Sequence, residues 1–320
     1  MVSVGVPAWV SDDLLAKFPH EAAVTRIESQ PERQIDIEFW VAPAFQEAAR
    51  VWPHLSGVRA VQSMLAGVDW AKNLDLGDVI LCDGQGLHNI PTAEWTVTAI
   101  LSSLKYFPFY RDLQRSGDWQ RVKEVDAQYR QLHRGQSLPP GRVMQEELYG
   151  QRVMIVGYGS IGKSIEERLL PFGVEIVRVA RHAREGVEPI DHLLELLPQA
   201  DIVVLIVPLT EETTGLIGAK HLAAMKQGAL LVNAARGPVV HTDALLEALQ
   251  SGHIRAAIDV TDPEPLPKEH PLWSAPNLLI TPHVAGSSPR FVERAITFAA
   301  AQVERYIKGE PLLNIVSGSY

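Results

Sequence analysis

Short apolar runs alternate along the chain with longer stretches in which apolar residues recur at helical spacing. We predict strands from the apolar runs and helices from the stretches between them. Strands that alternate with helices in this way are typical of an α/β protein with a parallel sheet. The predicted strands are Ile35–Val41, Gly57–Gln62, Asp78–Cys82, Arg152–Val156, Val174–Val179, Ala200–Val207, Ala229–Val232, Ala256–Val260 and Asn277–Ile280.

The helical stretches are spread over the whole chain. The longest begins at Thr92 and carries apolar residues at helical spacing as far as Leu104. The segment Asp118–Glu147 is polar and rich in glycine and proline near its end, so we predict an arm or connection rather than core. The other predicted helices are Pro43–Trp52, Ile161–Leu170, Leu222–Lys226, Thr242–Gln250 with Thr242 as its cap, and Pro289–Ile307.

The composition narrows the class of protein. A length of 320 residues fits about two domains of roughly 150 residues each. The net charge of −9 at pH 7 disfavours nucleic-acid partners, because such binding depends on Lys and Arg that neutralise phosphates. The single cysteine, Cys82, excludes an intrachain disulfide. No apolar stretch reaches the roughly 18 residues of a spanning helix and no basic leader is seen, so we expect a cytoplasmic protein without a membrane partner.

A glycine-rich loop follows the predicted strand Arg152–Val156. It matches the pattern G-x-G-x-x-G, and a helix and a second strand follow it, which completes a β-α-β unit of the kind that binds dinucleotides. The first glycine permits a tight turn, the second lets backbone N–H groups approach a pyrophosphate, and the third lets helix and strand pack closely. A turn without a ligand is the alternative. The expected cofactor contacts are Gly157, Gly159, Ser160, Ile161 and Gly162.

The residues after the second strand of this unit indicate which dinucleotide binds. Proteins that prefer NAD place Asp or Glu there, about 20 residues after the glycines, to accept hydrogen bonds from the ribose hydroxyls. This chain has Ala180 instead, followed by Arg181 and Arg184. A guanidinium can hold a 2′-phosphate through paired, charge-assisted hydrogen bonds. We predict NADP(H) as the preferred cofactor and NAD(H) as the second choice; the alternative is that both arginines are solvated surface cations.

Three further predicted strands are each followed by a residue suited to catalysis. Arg236 lies in N-x-x-R-G, Glu264 lies in D-V-x-x-x-E-P-L, and His283 lies in T-P-H-x-x-G. The carboxyl ends of parallel strands form the ligand-binding edge of such a sheet. Taken singly, the three residues have ordinary interpretations as a salt-bridge partner, a surface acid and a turn histidine. Their occurrence together, downstream of the glycine loop, favours a catalytic site.

The order of these four motifs resembles that of the D-2-hydroxyacid dehydrogenase family. The segments Leu65–Asp69 and Pro91–Glu94 extend the resemblance over nearly the whole chain. It implies two flavodoxin- or Rossmann-like α/β domains with parallel sheets. The dinucleotide-binding domain, residues 91–288, would be inserted into a substrate domain of residues 1–90 and 289–320. The active site would lie between the two domains.

The resemblance gives each candidate catalytic residue a role. His283 would take the hydroxyl proton during oxidation and return it during reduction, for which an imidazole is suited. Glu264 would hydrogen-bond the imidazole, fix its tautomer and stabilise the protonated ring. Arg236 would bind the carboxylate of a small 2-keto or 2-hydroxy acid and polarise the 2-keto oxygen.

The resemblance also implies a wider set of contacts. The backbone N–H groups of Ala66 and Gly67 would hold the substrate carboxylate, and Asp259 with the Ala234 carbonyl would bond the nicotinamide amide. The further cofactor contacts are Val207, Pro208, Thr213, Ala234, Ala235, Asp259, Gly286 and Thr92. The substrate contacts are Leu65, Ala66, Gly67, Arg236 and His283.

The chain departs from the common family pattern at a few positions. Thr261 stands where an aromatic residue is common, and His241 stands where an acid is frequent. Neither belongs to the catalytic triad. The pair Ala180-Arg181 resembles the NADPH-dependent glyoxylate/hydroxypyruvate reductase branch, so glyoxylate or hydroxypyruvate is the expected substrate. The resemblance also places an intersubunit arm in the polar segment and implies a homodimer.

Two other functions stay open at this point. Some relatives of the family are dinucleotide-responding corepressors that bind protein partners, and the presence of the triad does not exclude that role. Phosphite and formate dehydrogenases share the scaffold, although phosphite-oxidising relatives carry a lysine where Ala66 stands. The histidines have no metal-ligand spacing, so we expect no metal.

Overall fold

The computed structural model describes residues 1–43, 45–135, 137–138 and 145–316. Its strands are β1 (Val2–Pro7), β2 (Ala22–Ile27), β3 (Ile35–Asp36), β4 (Phe39–Ala42), β5 (Leu55–Ser56), β6 (Ala60–Ser63), β7 (Ile80–Cys82), β8 (Arg152–Val156), β9 (Glu175–Ala180), β10 (Glu188–Pro189), β11 (Ile202–Leu205), β12 (Leu230–Asn233), β13 (Arg255–Ile258) and β14 (Leu278–Ile280). Its α-helices are α1 (Asp12–Leu15), α2 (Phe45–Val51), α3 (Asn89–Leu104), α4 (Phe107–Ser116), α5 (Val122–Leu132), α6 (Ser160–Leu169), α7 (Leu193–Leu196), α8 (Ala219–Ala224), α9 (Thr242–Gln250) and α10 (Phe291–Ile307). In these ranges, no helix combines the length and the apolar character needed to cross a membrane.

The chain separates into two compact units. Unit 1 comprises Met1–His88 and Ser287–Tyr320, and unit 2 comprises Asn89–Gly286. In sequence, unit 2 is therefore inserted between the two segments of unit 1. The assignment of a substrate role to one unit and a dinucleotide role to the other stays a prediction.

Unit 1 is built on a five-stranded sheet in the order β2-β1-β4-β6-β7, with every neighbouring pair parallel. This is the flavodoxin-like strand order. Apolar residues cover both faces, as a parallel sheet requires. On one face α10 packs in a cluster with Val4 and Phe39, and on the other α2 packs in a cluster with Trp40.

Unit 2 is built on a seven-stranded parallel sheet in the order β10-β9-β8-β11-β12-β13-β14. Strands β9 and β10 lie on one side of β8, and strands β11 to β14 lie on its other side. Doubly wound sheets bind their ligands at such a switch point, outside the carboxyl ends of the strands. The two parallel sheets confirm the predicted α/β class.

Two apolar clusters enclose the sheet of unit 2. Alternate residues of β8 point to opposite faces, so Met154 belongs to one cluster and Ile155 to the other. The first cluster includes Leu245 of α9, and the second includes Ile100 of α3 and Ile165 of α6. With both faces covered, the loops at the strand ends are the part of the sheet that can meet a ligand.

The sequence prediction misses three strands of unit 1, β1, β2 and the two-residue β5. Gly5 interrupts the apolar run of β1, yet a Cβ at that position would lie 2.5 Å from the Ile27 side chain and 2.6 Å from that of Ile37. The glycine therefore allows close packing inside the sheet and does not mark a turn. The predicted strand Ile35–Val41 is divided between β3 and β4. Gly57, predicted as a strand residue, lies before β6 with φ of +73°.

The prediction that Asp118–Glu147 is an arm rather than core is wrong for part of the segment. Helix α5 buries Val125 and Leu132, and the Glu146 carboxylate accepts two hydrogen bonds from Arg255 of β13, at 2.6 and 2.5 Å. The sequence looks polar because α5 buries only one face and because the partner of Glu146 is 109 residues away. Pro139, Pro140 and Gly141, also assigned to the arm, lie outside the described residues.

Candidate active site

Unit 2 places the three candidate catalytic residues on loops that follow neighbouring strands. Arg236 follows β12, Glu264 follows β13, and His283 follows β14. These strands are adjacent and parallel, so the three loops emerge at the same edge of the sheet. The glycine loop follows β8 at that same edge. The fold thus brings the predicted catalytic and cofactor motifs to one side of unit 2.

The loop that carries Arg236 is fixed by Asn233, the last residue of β12. The buried Asn233 side chain accepts a hydrogen bond from the Ala235 N–H at 3.0 Å and donates one to the Arg236 carbonyl at 3.1 Å. The guanidinium Nη1 of Arg236 donates to the Ala235 carbonyl at 2.8 Å. Asn233 is absent from the predicted site residues, although the spacing N-x-x-R-G contains it.

Gly237 holds two of the loops against each other. A Cβ at this position would lie 1.9 Å from the carbonyl oxygen of Thr261, so only glycine fits. A second contact joins the same loops, because the Thr242 hydroxyl donates to the Asp262 carbonyl at 2.9 Å. Thr242 was expected to cap α9, but it is the first helical residue and His241 is the cap. Instead of capping the helix, the Thr242 hydroxyl bonds the loop that carries Glu264.

His283 and Glu264 form a hydrogen-bonded pair. The imidazole Nδ1 lies 2.6 Å from Oε1 of Glu264, and the two side chains are 36 % and 40 % exposed. An ionised carboxylate only accepts hydrogen bonds, so Nδ1 carries the proton in this pair. The pair is therefore oriented and remains open to a ligand.

Asp259 organises the loop that carries His283. Its buried carboxylate accepts hydrogen bonds from the Val284 N–H at 2.9 Å and from the Ala285 N–H at 2.7 Å. Its carbonyl accepts the His283 N–H at 2.7 Å. Gly286, another predicted cofactor contact, follows this loop directly and ends unit 2. The family resemblance assigns Asp259 to the nicotinamide amide, and its motif carries no signal of this local role.

The three glycines of the glycine loop differ in what requires them. A Cβ on Gly157, which has φ of +107°, would lie 2.4 Å from the Ile206 carbonyl oxygen. A Cβ on Gly162 would lie 2.5 Å from the Gly157 carbonyl oxygen. Gly159 has no described atom within 4 Å of its Cβ position. The first and third glycines are thus required by the packing of the chain, and the second borders open space.

That open space lies at the N-terminus of α6. The helix begins at Ser160, its N-cap is Gly159, and no described side chain caps it. The N–H groups of the first turn, which include those of Ile161 and Gly162, are the usual partners of a phosphate at such a terminus. The residues present therefore fit the pyrophosphate of a dinucleotide.

The loop after β11 lies on the other side of the switch point. The Ile206 N–H of this loop donates to the Val156 carbonyl at 2.8 Å, and this bond holds the loop beside the glycine loop. Thr213 Oγ1 donates to the Pro208 carbonyl at 2.6 Å, and Val207 is buried. Thr92, the remaining predicted contact, is buried in α3.

The two arginines expected at the 2′-phosphate both have partners within unit 2. Arg181 Nη2 donates to the Glu212 carboxylate, and both side chains are exposed. Arg184 Nη2 donates to the Tyr158 carbonyl of the glycine loop at 2.6 Å, and its guanidinium lies 5.8 Å from the Tyr158 ring centroid. The exposed Arg181–Glu212 pair is also compatible with an ordinary surface cation, so a contact of either arginine with a 2′-phosphate stays a prediction.

Tyr158 also contacts a charged pair on its other flank. The Arg178 guanidinium lies 5.5 Å from the Tyr158 ring centroid and is paired with the Glu166 carboxylate. The hydrogen bond from Arg178 lowers the pKa of Glu166, and burial raises the pKa of Tyr158. The tyrosine between the first two glycines is thus part of an organised cluster that sequence reasoning missed.

The predicted substrate loop belongs to unit 1 and follows β6. The Leu65 N–H donates to Ser63 Oγ at 3.0 Å, and the Leu65 carbonyl accepts the Gly84 N–H at 2.8 Å. These contacts fix the chain just before Ala66 and Gly67. The role of those two N–H groups in binding a carboxylate stays a prediction.

A doubly wound sheet with a glycine loop at its switch point, and a His–Glu pair with an arginine at the same edge, defines a dinucleotide-dependent dehydrogenase. The family described as "D-isomer specific 2-hydroxyacid dehydrogenase, NAD binding domain" matches residues 97–285, more than half of the chain. The chain belongs to the D-isomer specific 2-hydroxyacid dehydrogenase family, and it is an NAD(P)-dependent oxidoreductase that acts on the CH–OH group of its donors. Among the described residues, no group of three or more His, Cys, Asp or Glu side chains could hold a metal ion.

Three relatives show the range of the family near this chain. Glyoxylate reductase of Thermofilum pendens is 36 % identical over 232 residues, which cover 70 % of this chain and 64 % of that protein. Formate dehydrogenase (chloroplastic/mitochondrial) of Arabidopsis thaliana is 35 % identical over 320 residues, which cover 93 % of this chain and 78 % of that protein. The crystal structure of an NADPH-dependent glyoxylate/hydroxypyruvate reductase from Sinorhizobium meliloti, in complex with NADP and sulfate, superimposes with a TM-score of 0.81 at 26 % identity and covers 99 % of this chain and 98 % of that one.

Proposed function

We propose that the protein reduces a small 2-keto acid of the glyoxylate or hydroxypyruvate type, with NADP(H) as its preferred cofactor. The observation on which the proposal rests is the 2.6 Å hydrogen bond between His283 Nδ1 and Glu264 Oε1, at the sheet edge that also carries Arg236. The relatives described as glyoxylate reductases support the substrate class. Formate dehydrogenation is a second candidate, favoured by the extent of the match to the Arabidopsis thaliana enzyme.

In this proposal His283 transfers the proton. Because Glu264 accepts from Nδ1, the other ring nitrogen, Nε2, is the atom directed to the substrate oxygen. During reduction the protonated imidazole donates its Nε2 proton to the oxygen at C2, and during oxidation the neutral ring takes that proton back. The Glu264 carboxylate stabilises the positive charge of the protonated ring. The nicotinamide, when bound, supplies or receives the hydride at C2.

Arg236 binds the anionic end of the substrate. Its guanidinium is permanently charged and presents a planar fork that matches a carboxylate. The same cation lowers the energy of the negative charge that develops on the keto oxygen. The contacts of Asn233 and Gly237 support this role, because they fix the loop before the substrate arrives. The N–H groups of Ala66 and Gly67, after Leu65, are proposed as further donors to the carboxylate.

The remaining site residues are proposed as cofactor contacts. The open space beside Gly159 and the N-terminus of α6 support binding of the pyrophosphate. Asp259 keeps acceptor capacity for the nicotinamide amide, since a carboxylate has about four acceptor positions. The proposed contacts are Gly157, Gly159, Ser160, Ile161, Gly162, Arg181, Arg184, Val207, Pro208, Thr213, Ala234, Ala235, Asp259, Gly286 and Thr92.

A substrate panel tests the proposed reaction. Glyoxylate, hydroxypyruvate and other 2-keto acids are each assayed with NADPH and with NADH, and formate is assayed in the oxidative direction. We expect the highest kcat/KM for glyoxylate or hydroxypyruvate with NADPH. A higher kcat/KM for formate would favour formate dehydrogenation. Cofactor binding without turnover of any substrate would favour the corepressor alternative.

The cofactor preference is tested at Arg181 and Glu212. A 2′-phosphate would have to replace the Glu212 carboxylate as the partner of Arg181. We expect Arg181→Ala to raise the KM for NADPH by roughly tenfold or more, the effect of losing a charge-assisted hydrogen bond, and to leave the KM for NADH unchanged. Glu212→Gln should lower the KM for NADPH by at most about fivefold, since exposed ion pairs are weak.

The control for Glu212→Gln is Glu211→Gln, which removes the neighbouring exposed charge without touching the Arg181 pair. Equal effects of both substitutions would mean that only the overall charge matters. Equal effects of Arg181→Ala on NADPH and NADH would refute the proposed phosphate contact.

A homodimer and a cytoplasmic location are the remaining proposals. Exposed Phe107 and Trp119, on α4 and just before α5, support a protein-protein contact at this segment. Light scattering of the purified protein at several concentrations checks the oligomeric state. A monomer at all concentrations would contradict the proposal.

A further inference from the structure

The backbone at His283 adopts a conformation that needs support. Its φ of +52° lies in the left-handed region, which residues other than glycine rarely occupy. Such a conformation persists only where the surroundings determine it. A shift of this backbone would turn the imidazole Nε2 away from the substrate oxygen. The contacts that fix this backbone are therefore important for the proposed proton transfer.

The support comes from Asp259 through three consecutive N–H groups. The His283 N–H donates to the Asp259 carbonyl at 2.7 Å, and the next two N–H groups, of Val284 and Ala285, donate to its carboxylate at 2.9 and 2.7 Å. The loop therefore wraps around one buried carboxylate. Its geometry depends on where that carboxylate points.

A hydroxyl and an indole fix the direction of the Asp259 carboxylate. Thr281 Oγ1 donates to Asp259 Oδ1 at 2.5 Å, and Trp95 Nε1 donates to Thr281 Oγ1 at 3.1 Å. The order of donors has no alternative, because an indole only donates, a carboxylate only accepts, and the hydroxyl has a single proton. Trp95 belongs to α3, the helix with which unit 2 begins, so the chain of hydrogen bonds joins the body of the unit to the loop.

We propose that Thr281 and Trp95 are positioning residues for His283, acting through the carboxylate of Asp259. The inference rests on the proposed role of His283 in proton transfer. Neither residue needs to touch the substrate. Loss of the Thr281 hydroxyl leaves the carboxylate free to rotate toward the ligand, and the N–H groups of Val284 and Ala285, which follow His283 directly, then lose their acceptor geometry.

Threonine and tryptophan substitutions test this proposal. Thr281→Val removes the hydroxyl, Thr281→Ser keeps it, and Trp95→Phe removes the indole donor. A misplacement of about 1 Å costs up to roughly a hundredfold in rate, so we expect Thr281→Val to lower kcat by about 10- to 100-fold. The Kd of the cofactor should change much less. Thr281→Ser should restore most of kcat, and Trp95→Phe should lower kcat alone but add little in the Thr281→Val background.

Matched controls remove a similar hydrogen bond elsewhere in unit 2. Thr98→Val removes a hydroxyl that donates to the Glu94 carbonyl at 2.8 Å on the same helix. Trp273→Phe removes an indole donor that bonds the Pro267 carbonyl at 2.9 Å. Both controls should keep kcat within about twofold of the unsubstituted protein. A Thr281→Val variant that does the same would overturn the proposal, as would a Thr281→Ser variant that is no better than the valine.

Hydrogen exchange separates this proposal from the proposed function. If the protein turns over none of the 2-keto acids, the proposed function fails, but the amide exchange at residues 283–285 can still be measured. We expect Thr281→Val to accelerate exchange at the amides of Val284 and Ala285, whose acceptor is the Asp259 carboxylate, and Thr98→Val to leave it unchanged. Unchanged exchange in Thr281→Val would refute the positioning role whatever the activity.

Discussion

Two histidine–glutamate pairs lie at opposite ends of the strands of unit 2, one near the carboxyl ends and one near the amino ends. The first pair is open to solvent and the second is enclosed. At the carboxyl edge, His283 and Glu264 lie 2.6 Å apart with side chains 36 % and 40 % exposed. At the amino edge, beside the start of β13, His133 and Glu146 lie 3.3 Å apart with side chains only 11 % and 10 % exposed. The same two functional groups are thus open in one place and enclosed in the other.

The enclosed pair is held from several sides. Arg255, whose side chain is 5 % exposed, binds both carboxylate oxygens of Glu146, and the Tyr106 hydroxyl donates to one of them at 3.3 Å. Burial alone would raise the pKa of Glu146, but the hydrogen bond from His133 and the charge of Arg255 outweigh it and hold the pKa at about 2. A carboxylate with so many partners is committed to one geometry and one charge state.

The open pair has the opposite character, which fits the catalytic role proposed for it. Glu264 orients the ring of His283 through a single hydrogen bond, so the ring remains accessible to a ligand. In the enclosed pair His133 serves the fold, because it helps join the segment after α5 to β13. Accessibility and a limited number of partners distinguish the pair proposed for catalysis from the enclosed pair, which has the same functional groups.

The largest expected effect is on turnover at the open pair. His283→Gln removes the group proposed to transfer the proton, so kcat should fall by about 10²- to 10⁴-fold while the cofactor still binds. His133→Gln should keep kcat within about twofold and lower the melting temperature. Steady-state kinetics and cofactor titration of both variants check this prediction. A similar loss of kcat in the two variants would remove the functional distinction between the pairs.

The next largest effect is on stability at the enclosed pair. Glu146→Gln leaves the buried guanidinium of Arg255 without its counter-charge, so the free energy of unfolding should fall by about 3–5 kcal/mol. Urea unfolding checks this value, and kcat at low temperature should be nearly unchanged. Glu147→Gln, at the exposed neighbouring position, is the control and should be close to neutral. A neutral Glu146→Gln would show that the ionic cluster does not stabilise the fold.

The smallest effect is a dependence on pH. The pKa of Glu146 falls from an ordinary 4.5 in the unfolded chain to about 2 in the fold. Its charged form therefore stabilises the protein fully above pH 4.5, and this contribution is lost as the pH falls toward 2. The difference in unfolding free energy between the unsubstituted protein and Glu146→Gln should shrink over that interval. A constant difference would mean that the carboxyl group is not the one that titrates.

The sequence predicts the site at the carboxyl ends of the strands, which includes His283, far better than the enclosed cluster around Glu146. Gly157, Arg236 and His283 each lie in a short motif next to an apolar strand, so local spacing is enough to place them at the strand ends. Glu146 and Arg255 are 109 residues apart, and Trp95 and Thr281 are 186 apart. No local pattern indicates such partners, because only the packed sheet brings them together.

Packing also explains the smaller errors of the prediction. Gly5 interrupts the apolar pattern of β1, but it is needed because the Ile27 and Ile37 side chains occupy the space of its Cβ. Thr242 has the residue type of a helix cap, yet its hydroxyl bonds the Asp262 carbonyl. In each case the residue type serves a tertiary contact that its own segment does not reveal.

Together with the proposed role of His283 in proton transfer, its left-handed backbone implies a trade-off between activity and thermal stability. Asparagine tolerates this conformation better than histidine does, so His283→Asn should abolish turnover while the thermal midpoint holds or rises. Selection for heat resistance alone would then favour an inactive protein at this position. Engineering a more durable enzyme therefore has to begin elsewhere, and the strained turn has to be left as it is.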